Sequence, residues 1–161
     1  MLVLLVLLIS SNCMSQQDFD TKLKSILDGS VPFIYVDDLR KKLETDQNLV
    51  ILDTRQPEEY HVSHLKGAIF IDYDHFSKDM VAGMDKDAPV VVYCSVGYRS
   101  EKIGEKLREL GFKNVSNLYG GIFDWKNKGN DVVNEHGVTD SVHTYNASWS
   151  RWLKKGVKVY E

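Results

Sequence analysis

With 161 residues, 43% of them hydrophobic and 27% charged, the chain suits one domain with a sizeable core, since two full domains would leave both undersized. That composition excludes a disordered or membrane-embedded body. A formal charge of −3 leaves no basic excess to displace counterions from a phosphate backbone, so nucleic acid is not expected as a partner.

The chain opens on "MLVLLVLLISSNCMSQQ", unbroken and apolar from Met1 to Ile9 and then small and polar. This is the pattern of a secretory signal and is too short to span a bilayer. The first lysine is Lys22, so the run has no basic leader. A buried strand, the other reading, would call for alternation that the leucine run lacks. We therefore expect a signal over residues 1–15 and an exported, periplasmic or envelope-associated protein. Cleavage could follow Ser15. It could instead precede Cys13, giving a lipid anchor there and the only expected membrane contact, although Asn12 stands where a small residue is usual. On either path Cys94 is left as the unmodified thiol, and a disulfide framework is not expected.

Next, "DFDTKLKSILDG" places Phe19, Leu23, Ile26 and Leu27 at helical spacing and stops at Gly29. A brief strand over Phe33 to Val36 precedes a helix from about Asp38, where acidic residues suit the helix dipole. "NLVILDTR", "GAIFIDY" and "APVVVYC" are apolar without alternation, as strands covered on both faces must be. Helical candidates lie between and after them in "QPEEYHVSHL", "DHFSKDM", "SEKIGEKLRELG" and "GIFDWKNKG". Alternating strands and helices imply an α/β fold around a parallel sheet. Residues 131–161 run on past this pattern. Trp149, Trp152 and Leu153 suggest one apolar helical face there, and the segment is expected to pack on the domain as an extension.

Cys94 ends an apolar strand, and ligands of such sheets bind beyond the strands' carboxyl ends. From Cys94 the loop reads Ser95, Val96, Gly97, Tyr98, Arg99 and Ser100, and Ile103, Leu107 and Leu110 then mark one face of a helix. A tight turn at Gly97 would aim the unpaired N–H groups of that helix start inward, making a cradle for negative charge. A thiolate in such a place is a nucleophile, because helix termini and cations can bring a thiol from about 8.5 to roughly 3.5–7.5. Arg99 is the candidate positioning cation; the alternative is a surface salt bridge to Glu101 or Glu105. Tyr98 could shape access or simply face solvent. Core packing is the competing reading for Cys94 itself.

"VVVYCSVGYRSEKIGEKLRELGFKNVSNLYGGIFDWKNKG" resembles the catalytic half of a rhodanese, whose loop has the form C-x-x-G-x-R/S/T. "VILDTRQPEEYHVSHLKGAIFI" is similar to the family's other signature at Asp53, Arg55, Glu59, His64, Gly67 and Ala68. The resemblance covers about residues 31–130, so a rhodanese domain is assigned to 16–130 and an extension to 131–161. It implies a central parallel sheet of about five strands with helices on both faces. It also implies a sulfurtransferase working through a Cys94 persulfide cradled by residues 95–100, with no cofactor and no metal. Thiosulfate is the customary small-molecule sulfur donor, and the acceptor is a small molecule or a protein. The family also pairs an arginine with an acidic residue, which would join Arg55 to Glu59 and leave Asp53 behind the site.

Other chemistries compete with this reading. Cell-cycle-type cysteine phosphatases place five residues between cysteine and arginine so that the loop can wrap a phosphate, whereas this loop has four. Arsenate reduction is a lesser option, and a sulfur carrier or partner-binding module with little turnover is the alternative from another class. "HVSH", with His61 and His64 three apart, lacks a third clustered ligand for a metal.

Overall fold

The computed structural model of the protein describes residues 16–160; the expected signal over 1–15 and Cys13 lie outside the described residues. Helix α1 occupies residues 16–24. There follow β1 (Phe33–Ile34), α2 (Val36–Thr45), β2 (Val50–Asp53), α3 (Pro57–Val62), β3 (Ile69–Phe70), β4 (Pro89–Tyr93), α4 (Tyr98–Glu109), β5 (Asn114–Leu118) and α5 (Gly121–Asn127). Five strands form one sheet in the order β1-β5-β4-β2-β3, and every neighbouring pair is parallel. β4, which leads to Cys94, is the central strand.

Successive residues of a strand point to opposite faces, and here both faces are apolar. Ile51, Val91 and Tyr93 enter one hydrophobic cluster with α1, α2 and α5 residues such as Leu23, Leu39 and Phe123. Leu52, Val90 and Val92 enter the other with Ile103 and Leu107 of α4. A strand buried on both sides has no polar alternation to show, which is why β2 and β4 read as continuous apolar runs.

Several elements are shorter than their sequence patterns. The "DHFSKDM" segment forms only a 3-10 turn at Lys78–Val81, and "GAIFIDY" contributes two paired residues at the sheet edge. α2 begins at Val36, so the strand before it ends at Ile34. β5 carries no apolar run at all, because Asn114, Ser116 and Asn117 alternate with Val115 and Leu118.

The segment after α5 packs on the domain. β6 (Val132–Asn134) and β7 (Gly137–Thr139) pair antiparallel, while β8 (Ser141–His143) and β9 (Val157–Val159) pair parallel around α6 (Ala147–Ser150). Val133 and His64 exchange backbone hydrogen bonds at 2.8 and 2.9 Å. Trp152 is buried and stacks on Phe19 of α1 with ring centroids 5.5 Å apart. The expected single helical face of Trp149, Trp152 and Leu153 does not form. Asn146 caps one turn only, α6 stops at Ser150, and Asn127 then takes the amides of Lys154 and Lys155 on its Oδ1. Trp152 and Leu153 are thereby buried in the core, while Trp149 in α6 is only partly buried against it.

Candidate active site

Between β4 and α4 the chain turns within four residues, and Gly97 makes the turn at φ 116°. Side chains other than glycine rarely adopt that conformation. The turn swings the Gly97 amide back onto the sulfur, N–H to Cys94 Sγ at 3.1 Å. Asn117, buried at the end of β5, donates its Nδ2 to the Gly97 carbonyl at 2.9 Å and lies 2.7 Å from the Ser100 hydroxyl. The loop is also held from behind. The carbonyls of Cys94 and Ser95 accept the amides of Ile122 and Phe123 at 3.0 and 3.2 Å, which satisfies donors that the first turn of α5 would otherwise leave unpaired. With its carbonyls turned toward α5, the loop presents N–H groups to the sulfur.

Burial pushes the Cys94 thiol up, but the Arg99 charge, with hydrogen bonds from Ser100 and Val96, outweighs it and holds the thiol below its ordinary value. Arg99 is itself locked. Its Nη1 and Nη2 donate to Glu59 Oε2 and Oε1 at 2.6 and 2.8 Å, and Nη2 also reaches Ser95 Oγ at 3.0 Å. Glu59, fully buried, additionally accepts the Ser95 hydroxyl at 2.9 Å and the Gln56 amide at the entry to α3 at 3.1 Å. Both carboxylate oxygens are thus doubly engaged, which is their capacity. Burial raises the Glu59 carboxyl, yet the Arg99 hydrogen bonds and charge, then Arg55, bring it below the usual carboxylate range.

The expected Arg55–Glu59 pair is not the one formed. Arg55 is fully buried and grips Asp53 instead, Nε to Oδ1 at 2.9 Å and Nη2 to Oδ2 at 2.7 Å, while Tyr93 donates to the same Oδ2 at 2.6 Å. Only Thr54 separates Asp53 from Arg55, so the short path wins, and Glu59 is left to the charge across the loop. Neither Glu101 nor Glu105 binds Arg99. Glu101 is buried and accepts the amides of Asp28 and Ser30, and Glu105 takes Lys102 and Ser30. His64 commits Nδ1 to the Tyr60 carbonyl at 3.0 Å and stacks on the Tyr60 ring.

Above the loop lies a cleft of about 290 Å³. Cys94, only 1% exposed, forms part of its lining, so the residue lies deep at the bottom of the cleft. Ser95, Val96, Arg99 and the exposed Tyr98 line it as well; Gly97 and Ser100 serve beneath it. The remaining walls were not read from the sequence: Gln56, Tyr73 and Asp74 on one side, Tyr145 and Trp149 of the extension on the other. A polar Asn at the buried end of a strand could have flagged Asn117. Nothing local marks Tyr145 or Trp149, which reach the site only through chain reversal.

Comparison with known proteins gives one consistent family. A model of the rhodanese-like domain matches residues 35–128. A Bacillus subtilis protein named as a sulfur carrier, YrkF, is 31% identical over 62% of this chain and 54% of its own length. Thiosulfate sulfurtransferase GlpE of Pseudomonas fluorescens is 35% identical over 50% of this chain and 73% of its own. A tRNA uridine(34) hydroxylase of Sodalis glossinidius is 40% identical over 52% of this chain and 25% of its own. The chain thus spans about half of the first relative and a quarter of the last. Among solved structures, a rhodanese-related protein of Thermoplasma volcanium superposes with a TM-score of 0.57 at 28% identity, covering 65% of this chain and 99% of that one. The match spans more than half of the sequence and includes the cysteine loop, α3 and both strands that carry them, and the chain accordingly belongs to the rhodanese-like domain family.

Proposed function

We propose that the protein is a sulfurtransferase that carries sulfane sulfur on Cys94. The Cys94 thiolate attacks the outer sulfur of a donor such as thiosulfate. The donor's S–S bond breaks, sulfite leaves with the bonding pair, and a Cys94 persulfide anion remains. An acceptor nucleophile, a thiol or cyanide in the assay, then takes the outer sulfur and returns the thiolate. Splitting one transfer into two displacements predicts ping-pong kinetics. The observation that carries this reading is the Gly97 amide on Sγ at 3.1 Å in the floor of an open cleft. Donors preset around a sulfur stabilise the negative charge both before and after transfer. Four residues between Cys94 and Arg99, with the Arg99 fork already occupied by Glu59, weigh against wrapping a phosphate or arsenate.

Sulfur carriage to a dedicated protein acceptor, with little turnover on simple donors, is the second reading. It is favoured by the pairing of Arg99 with Glu59, which offsets the charge an inorganic dianion would need, and by the likeness to YrkF. Treating purified protein with thiosulfate should add one sulfur to Cys94 by mass spectrometry, and cyanide should release it as thiocyanate. Cys94→Ser should take up none. Loading without sustained thiocyanate production favours the carrier; no loading from thiosulfate or from an organic donor overturns both. Export to the periplasm or envelope is proposed on residues 1–15 alone.

A further inference from the structure

The cleft is walled on one side by chain that lies beyond the family match, which ends at residue 128. Tyr145 lies between β8 and α6 and Trp149 within α6, and the first of them carries a backbone mark. Tyr145 sits at φ 65°, the one residue other than glycine with positive φ among the described residues. Such outliers persist where surrounding structure over-determines them, and they gather at ligand sites. Here the neighbours are fixed on both flanks: the Tyr145 amide donates to His143 Nδ1 at 3.1 Å, and Asn146 Oδ1 accepts the Trp149 amide at 3.1 Å. The Tyr145 ring lies 5.4 Å from the Arg99 guanidinium carbon, and Lys22 lies 5.5 Å from the Trp149 ring.

We propose that Tyr145 and Trp149 form an aromatic wall that selects a sulfur donor bearing a planar organic group over a small or bare inorganic one. This rests on the sulfurtransferase reading of Cys94 and names its substrate class. Three further observations carry it. The cleft, at about 290 Å³, stands at the lower end of the roughly 300–1,000 Å³ typical of organic-ligand sites. Tyr73 and Tyr98 add aromatic surface to the same cleft. The one guanidinium lining it is spent on Glu59, and the Asp74 carboxylate opposes a second negative charge at the rim.

Benzenethiosulfonate and methanethiosulfonate test this, because both present the same terminal sulfur and differ in the ring. In each case Cys94 thiolate takes that sulfur, the S–S bond breaks, and the corresponding sulfinate leaves with the pair. The wild-type protein should favour benzenethiosulfonate about three- to tenfold in kcat/KM, mainly through KM, the size of a single aromatic contact. Trp149→Leu and Tyr145→Asn, the latter chosen because asparagine tolerates the left-handed backbone, should bring the ratio of the two donors to within about twofold of unity. A folding defect lowers both donors together and leaves their ratio intact. A wild-type ratio near one, or a ratio retained in both variants, overturns the inference. Calorimetric titration of Cys94→Ser with each donor separates the two claims. Tighter benzenethiosulfonate binding that Trp149→Leu removes upholds the wall even where the wild-type protein transfers no sulfur, an outcome that sinks only the sulfurtransferase reading. Equal binding of both donors sinks the wall.

Discussion

Glu59 makes no hydrogen bond to Cys94, yet four donors from three residues converge on it: the Arg99 fork, the Ser95 hydroxyl and the Gln56 amide. Removing one partner of a buried charge pair leaves the other uncompensated, which typically costs about 3–5 kcal/mol. Glu59→Gln should lose stability on that order in denaturant titration at pH 7. The folded carboxyl titrates below its ordinary 4.5, so its contribution is present above that value and is lost as pH falls through the depressed one. The gap between wild type and variant should therefore narrow only below about pH 4.5. Arg99 acts in the same sense on the sulfur, since its charge is the main influence lowering the thiol against burial. Arg99→Gln should move the midpoint of iodoacetamide alkylation of Cys94 to higher pH, with activity falling more at pH 6 than at pH 9. An unmoved midpoint would assign the depression to the loop amides instead. At this scale Cys94, Gly97 and Arg99 were legible as one loop, because a short loop fixes them by spacing alone. The sequence did not disclose the partner of Arg99, since Glu59 and Arg99, 40 positions apart, meet only once the chain between them has folded.

The cysteine loop owes its shape to two helices and a strand. α4 starts from it, α5 clamps its carbonyls, and Asn117 of β5 ties down its turn. Gly121 is the tightest of these junctions. It has φ 55°, and a Cβ there would fall on the Cys94 carbonyl oxygen and 2.7 Å from the Ser95 carbonyl. Gly121→Ala should therefore cost about 1–3 kcal/mol from overpacking alone, and it should slow alkylation of Cys94 even in protein that remains folded by circular dichroism. β2 and β4 were legible as strands because burial on both faces makes them wholly apolar. β5 was not recognised, since its polar residues serve neighbouring loops: Asn114 reaches the Asp87 carbonyl and Asn117 the Gly97 carbonyl.

At the scale of the molecule, the extension and the domain share one core. Trp152, Leu153, Val132 and Val142 are buried in the same cluster as Phe19, Leu23 and Phe123. Trp152→Ala should cost about 3–5 kcal/mol, lowering the thermal midpoint, and it should raise KM for benzenethiosulfonate by loosening the wall that carries Trp149. By itself the sequence determined the α/β class, the parallel sheet, the place of Cys94 at a strand end and the glycine turn that cradles it. All of these follow from local spacing and from periodicity, which operate within a few residues. Tertiary structure alone decided that Arg99 holds Glu59, and that a segment more than 50 residues after the cysteine closes one side of its cleft. Pairings between charges and walls built from distant rings depend on which surfaces packing brings together, and no short stretch of chain encodes that.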